Sequence, residues 1–182
     1  MTPEEYRRLD ATAIAELVRG GELATAEIAA AARARHEATH HAINAVVEWF
    51  ADPTPSTGTG PFAGVPFLSK DYGSAEKGRL VEMGSRLAAG HRATVTDPFV
   101  ARLQRAGAMT LGRSAVPELI LHGTTESIVH GITRNPHGLE WSAGGSSGGA
   151  AAAVAAGVVP IATRATAPGR SASPLRHAGW SG

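Results

Sequence analysis

Apolar positions recur along the chain first with helical and then with strand spacing. Ile14, Leu17 and Val18 share one helical face, Asp10 stands where an N-cap belongs, and Gly20-Gly21 ends the pattern. A second, alanine-rich helix is expected from a cap at Thr25 to about His41. Ala45-Val-Val-Glu-Trp-Phe50 reads as a strand, and the Pro/Thr/Gly stretch from Asp52 to Pro61 as a surface loop. Val65-Pro-Phe-Leu-Ser-Lys70 is extended and apolar, with Pro66 arguing against helix. Asp97-Pro98 caps a helix that carries Val100, Leu103 and Ala106 inward and stops near Gly107. Met109-Thr-Leu111 reads as a buried strand, Ser146 to Ala156 as a helix entered through a glycine-rich turn, and Val158 to Thr163 as another buried strand. Alternation of strand, helix and strand predicts an α/β layered domain, without internal repeats or sustained heptads.

Composition narrows the function classes. The chain has 182 residues, 43% of them hydrophobic and 18% charged, enough for one ordinary core. A net charge of +1 gives nothing that would draw it to nucleic acid or an anionic membrane. With no cysteine, disulfides and thiolate metal sites are excluded. The N-terminus does not read as a signal peptide, and the longest apolar run, Ala150 to Ala162, is interrupted by Gly157 and Pro160 and too short for a bilayer. A cytoplasmic location is the expectation. Acidic residues are spread from Glu4 to Glu140 and then stop, and Arg164 to Gly182 is an acid-free tail made mostly of Arg, Ala, Pro, Ser and Gly, with one Trp.

Two stretches carry the chemistry. In Gly144-Gly-Ser146-Ser147-Gly-Gly149, four glycines around two serines allow unusual backbone conformations and close approach to a ligand. A flexible linker would not run into an apolar helix and strand, and a phosphate-binding P-loop would need a Gly-Lys-Ser/Thr that is absent. In Gly64-Val-Pro-Phe-Leu-Ser-Lys70-Asp71, Lys70 ends an apolar strand, where desolvation would favour the neutral amine and so a base. The ordinary alternative is a solvated surface charge.

Together these stretches resemble the amidase signature family, whose members cleave or transfer amide-bonded acyl groups with a Ser–Ser–Lys triad. Gly112-Arg-Ser-Ala-Val-Pro-Glu118, Gly123-Thr-Thr-Glu-Ser127 and Thr133-Arg-Asn-Pro136 leading into Trp141-Ser142 extend the likeness over about Phe62 to Thr163. The resemblance makes Lys70 the base and Ser146 the bridging serine behind a cis peptide bond, with Gly144, Gly145, Ser147 and Gly148 as the supporting turn. Gly84-Ser-Arg86 and the Val-Pro-Phe-Leu-Ser-Lys-Asp form lean toward the subtype that opens cyclic amide oligomers. It implies an α/β/α layered fold with a mixed, twisted sheet, of which this chain carries the first strands. The expected divisions are an N-terminal helical segment with the first strand over 1–50, a partial signature region over 51–163 and an aberrant tail over 164–182. A small-molecule amide substrate is implied, with no cofactor, nucleic acid or membrane, and intact relatives could be homodimers. The A subunit of a tRNA-dependent amidotransferase and a non-catalytic pseudogene fragment are the alternatives.

The pattern breaks after Ile161-Ala-Thr163. The family's nucleophilic serine should fall at position 170, where this chain has Arg170, and Pro168 stands among the oxyanion-hole positions without an N–H to donate. Loss of one base near Thr163 would account for this. Regrouped by one base, Ala165 to Gly182 can encode the Gly-Ser-Ile-Arg-Ile-Pro-Ala motif with its serine at 170, and a stop codon follows from the next family codons. Marginal stability and exposed sheet edges are expected of such a chain.

Other candidates read more plainly. His36 and His40, at i and i+4, could hold zinc but lack an accompanying carboxylate motif, so with His41 they read as a solvated helix face, and no metal is expected. His91, His122, His130 and His137 read as loop or core packing. Ser147 either supports the bridge or completes the turn, and Asp71 either orients Lys70 or caps the next turn, with capping preferred.

Overall fold

In the computed structural model, residues 1–163 are described. The elements are α1 (Pro3–Arg7), α2 (Ala11–Arg19), α3 (Thr25–Ile43), β1 (Val46–Thr54), β2 (Pro66–Lys70), α4 (Pro98–Arg105), β3 (Met109–Ser114), β4 (Glu126–Ser127), β5 (Gly131–Ile132), β6 (Arg134–Asn135), β7 (Gly138–Ser142), α5 (Gly148–Ala155) and β8 (Ile161–Ala162). Short 3-10 turns lie at Arg86–Ala88 and Glu118–Ile120.

Local capping chemistry sets the helix starts. Asp10 accepts the Ala13 N–H at 2.8 Å, and Asp97 accepts the Phe99 N–H at 2.8 Å ahead of Pro98. The α3 cap differs from expectation. Ala24 occupies the N-cap, Thr25 is the first helical residue, and the Glu27 carboxylate reaches back to the Ala24 N–H at 3.0 Å. At the N-terminus, Thr2 and Glu5 exchange a capping box over α1, a short helix not foreseen from the pattern.

The main sheet is mixed and ordered β1-β3-β2-β8, with β1 antiparallel to β3 and β2 parallel to both β3 and β8. The first strand is longer than expected and runs to Thr54, because Thr54 pairs with Thr110 of β3 beyond a register shift that follows Trp49. The last is shorter. Val158 and Val159 are buried beneath α5, and Pro160 has no N–H for a ladder, so only Ile161–Ala162 pairs with β2.

Helices cover both faces. Successive strand residues point to opposite sides: Phe67 packs on Val100 of α4, while Leu68 joins Ala152, Ala153 and Val158 of the α5 region. Val65, Met109 and Leu111 meet Ile14 of α2 and Ile28, Ala31 and Ala32 of α3. Tyr6 of α1 closes that layer, its hydroxyl donating to the Val158 carbonyl at 3.0 Å. The central strand β2 is buried along its whole length, which carries Lys70 into the interior at the strand's C-terminal end.

Candidate active site

Lys70 is 2% exposed, and its ammonium nitrogen lies 2.9 Å from the Ser146 hydroxyl oxygen, 76 positions away. Ser146 is 4% exposed and follows a cis peptide bond from Gly145. The two residues singled out in separate stretches therefore meet side chain to side chain, one at the end of β2 and one at the entry to α5.

The glycines explain how the serine gets there. The turn is held against the 122–125 segment: the Thr125 hydroxyl donates to the Gly144 carbonyl at 2.7 Å and accepts the Gly148 N–H at 3.0 Å. A Cβ on Gly148 would sit 2.4 Å from that same hydroxyl oxygen, and one on Gly149 would sit 2.4 Å from the Ala115 nitrogen. Close backbone approach, more than flexibility, is what these positions require. The turn is packed, which a linker would not be. Ser147 takes the N-cap position of α5, its carbonyl accepting the Ala151 N–H at 3.0 Å.

The Lys70 main chain is held by two hydroxyls. Its N–H is directed at both Ser74 Oγ and Thr163 Oγ1, each at 2.7 Å, and these two oxygens are 2.7 Å apart. Ser74 also donates to the Lys70 carbonyl at 3.1 Å.

Asp71 caps a loop further along the chain than the next turn. It is fully buried and accepts the N–H groups of Glu82 at 2.8 Å and Gly84 at 3.1 Å, tying β2 to a loop eleven and thirteen residues on. Its other partner is Arg113 at 2.6 Å, whose guanidinium also reaches Glu82 at 2.8 Å and Glu48 at 3.1 Å. Burial disfavours the Arg113 charge, but Asp71, Glu82 and Glu48 outweigh it and hold the guanidinium protonated. Burial likewise raises the Glu82 pKa, yet the Gly90 N–H and Arg113 more than offset this and bring it below the usual range. This hub went unnoticed in the sequence, although Arg113 stands inside one of the quoted motifs.

His36 and His40 are half-buried, contrary to a solvated face. The His36 ring stacks on Trp49 at 4.8 Å and 12°, and lies 4.9 Å from the His40 ring. Burial, with the neighbouring His40, pushes the His36 pKa down to about 4. His41 is exposed. Among the described residues no group of three or more His, Asp or Glu is placed to hold a metal. Nor, among them, is any helix long and apolar enough to cross a membrane.

A cavity of about 460 Å³ is lined by Glu118, His122, Thr124, Glu126, Ser127 and Ile128. It adjoins the glycine turn, since a Cβ on Gly145 would come within 2.8 Å of the Thr124 carbonyl and 2.9 Å of the His122 carbonyl. Arg170 and Pro168 lie outside the described residues.

The Amidase family profile matches residues 22–164. A 6-aminohexanoate-cyclic-dimer hydrolase of Paenarthrobacter ureafaciens is 39% identical over 158 residues, 84% of this chain and 32% of that protein. The A subunit of the glutamyl-tRNA(Gln) amidotransferase from Treponema pallidum (strain Nichols) is 43% identical over 122 residues, covering 67% of this chain and 24% of that one. Among solved structures, 6-aminohexanoate cyclic dimer hydrolase complexed with substrate superposes with a TM-score of 0.76 at 39% identity, over 85% of this chain and 33% of that one. A bacterial aryl acylamidase of the amidase signature family gives 0.75 at 31% identity, over 85% and 34%. The chain spans about a third of the length of these hydrolase relatives.

Proposed function

The chain belongs to the amidase family and has the α/β fold of the amidase-signature enzymes, and on that premise we propose that its chemistry is hydrolysis of carbon–nitrogen amide bonds through an acyl-enzyme. Lys70 is the base and Ser146 the bridging hydroxyl. The observation that carries this reading is the buried 2.9 Å contact between Lys70 Nζ and Ser146 Oγ. Composition adds to it. Of 17 cationic side chains only Lys70 and Lys77 are lysines, so an amine that can lose its proton stands where arginine could not serve.

In the reaction, a nucleophilic serine attacks the amide carbonyl while its proton passes to Ser146 Oγ and the Ser146 proton to Lys70 Nζ. The carbon–nitrogen bond then breaks, and the relay returns a proton to the departing amine. Water attacks the resulting ester by the same relay and releases the acid. The cavity beside the glycine turn gives an amide of modest size room to approach. The protein acts in the cytoplasm, without a cofactor.

The nucleophile belongs at position 170, where the sequence has arginine. We read the stretch from 164 to 182 as the product of a one-base slip, so the chain as written is inactive. Sequencing the coding DNA tests this, followed by assay of the protein in the restored frame for amine release from linear and cyclic amides. Turnover that is lost in Lys70→Ala and Ser146→Ala supports the reading. A neighbouring frame without the Gly-Ser-Ile-Arg motif would refute the slip. Turnover that survives both substitutions would refute the assigned roles. A second reading, as the A subunit of an amidotransferase, is favoured by the 43% identity to the Treponema protein. Activity that requires glutamine, charged tRNA and partner subunits would select it.

A further inference from the structure

We propose that Ser74 and Thr163 form a hydroxyl clamp that positions Lys70, fixing the main chain of the base strand so that its amine meets Ser146. The inference rests on Lys70 acting as the base, as proposed above.

The register of the sheet makes the clamp unusual. Leu68 pairs with Ala162, and the Leu68 carbonyl accepts the Thr163 N–H at 3.0 Å. One further step of a parallel ladder would give the Lys70 N–H to the Thr163 carbonyl. It goes instead to the Thr163 side chain, at 2.7 Å, and to Ser74 Oγ, also at 2.7 Å. The strand thus ends on two hydroxyls at the residue that carries the amine.

The Ser74 hydroxyl has its bonding capacity used here. Ser74 Oγ accepts from the Lys70 N–H and from Thr163 Oγ1, and donates to the Lys70 carbonyl at 3.1 Å, filling one donor and two acceptor places. Ser74 is 2% exposed and Thr163 4%, so water does not replace these partners readily. Four carbons separate the amine from its Cα, and each torsion between them adds freedom. Holding both the N–H and the carbonyl of Lys70 removes main-chain drift from that sum. Thr163 serves both strands at once, because it terminates β8 while gripping β2.

Lysine NMR tests this in the full chain. With 13C,15N-lysine only two side chains give signals, and Lys77→Arg assigns them. The wild-type Lys70 side chain is expected to titrate below the free-lysine midpoint of about 10.4. In Ser74→Ala and in the near-isosteric Thr163→Val, that midpoint should move toward the free value, with the backbone amide spectrum otherwise retained. Ser74→Thr and Thr163→Ser keep a hydroxyl and should restore the wild-type midpoint. Folded Ser74→Ala and Thr163→Val proteins with an unmoved Lys70 would overturn the clamp while leaving the base intact. A wild-type Lys70 that titrates like free lysine would overturn both. Should the first pair not fold, a displaced midpoint in the hydroxyl-retaining pair would overturn the clamp, and a wild-type midpoint would support it.

Discussion

Replacing Arg113 by methionine isolates the charged hub behind the base strand. The side chain keeps a similar apolar length, but three charge-assisted contacts, at 2.6, 2.8 and 3.1 Å, are lost together. The carboxylates left behind differ in their access to water: the side chain of Asp71 is 0% exposed, that of Glu82 18% and that of Glu48 32%. Asp71 retains its two backbone N–H donors, so its stranded charge is partly compensated. Breaking a buried pair from one side costs about 3–5 kcal/mol, and the lower half of that range is expected here. For a chain of this size that corresponds to roughly 10 °C in melting temperature. Urea unfolding followed by tryptophan fluorescence measures the loss at pH 7. Glu48→Gln, at the wet end of the hub, should cost under about 1 kcal/mol. The pH dependence has a definite sign. Glu82 has a lowered pKa in the folded state, so its contribution is present above the unfolded value near 4.5 and is lost as pH falls through the folded one. The gap between wild type and Arg113→Met should therefore narrow below about pH 4.5. A variant within 0.5 kcal/mol of wild type at pH 7, roughly the noise of a neutral surface change, would refute a stabilising role for the hub.

Two further outcomes can be checked. Gly149→Ala places a methyl 2.4 and 2.5 Å from the Ala115 backbone nitrogen and oxygen, atoms that cannot swing aside, so a loss of about 3 kcal/mol or of folding altogether is expected in the same unfolding assay; a neutral variant would mean that the turn and β3 are further apart. His36, with its pKa lowered to about 4, contributes stability that is present above about 6.5 and lost as pH falls through about 4, and a His36→Phe chain should lose less stability between those values in acid unfolding curves.

What could be read from the sequence was what local chemistry fixes. Asp10 and Asp97 announce their helices because an N-cap needs only the next few residues. Lys70 and Ser146 stood out because their stretches are odd for their surroundings, and it was the resemblance to the amidase signature family that implied their roles. The hub was not. Nothing near Arg113 in the chain says that Glu48, Asp71 and Glu82 will converge on it, since those contacts exist only once β1, β2 and β3 lie side by side. Ser74 was invisible for the same reason. The hairpins β4–β5 and β6–β7 escaped because β4, β5 and β6 are two residues each, among Gly, Asn and Pro, and leave no period to detect. At α3, Thr25 is the better capping type, yet Glu27 reaching back to Ala24 set the start one residue earlier.

The order β1-β3-β2-β8 also has a meaning in time. Both neighbours of the base strand come later in the chain, β3 at Met109–Ser114 and β8 at Ile161–Ala162. During synthesis β2 emerges with two open edges, closes the first only after some forty residues of further chain, and waits nearly a hundred for the second. An apolar strand kept open that long is the segment most exposed to pairing with another chain. The residue that ends the wait is Thr163, so the step that completes the clamp on Lys70 also shields the strand that carries it.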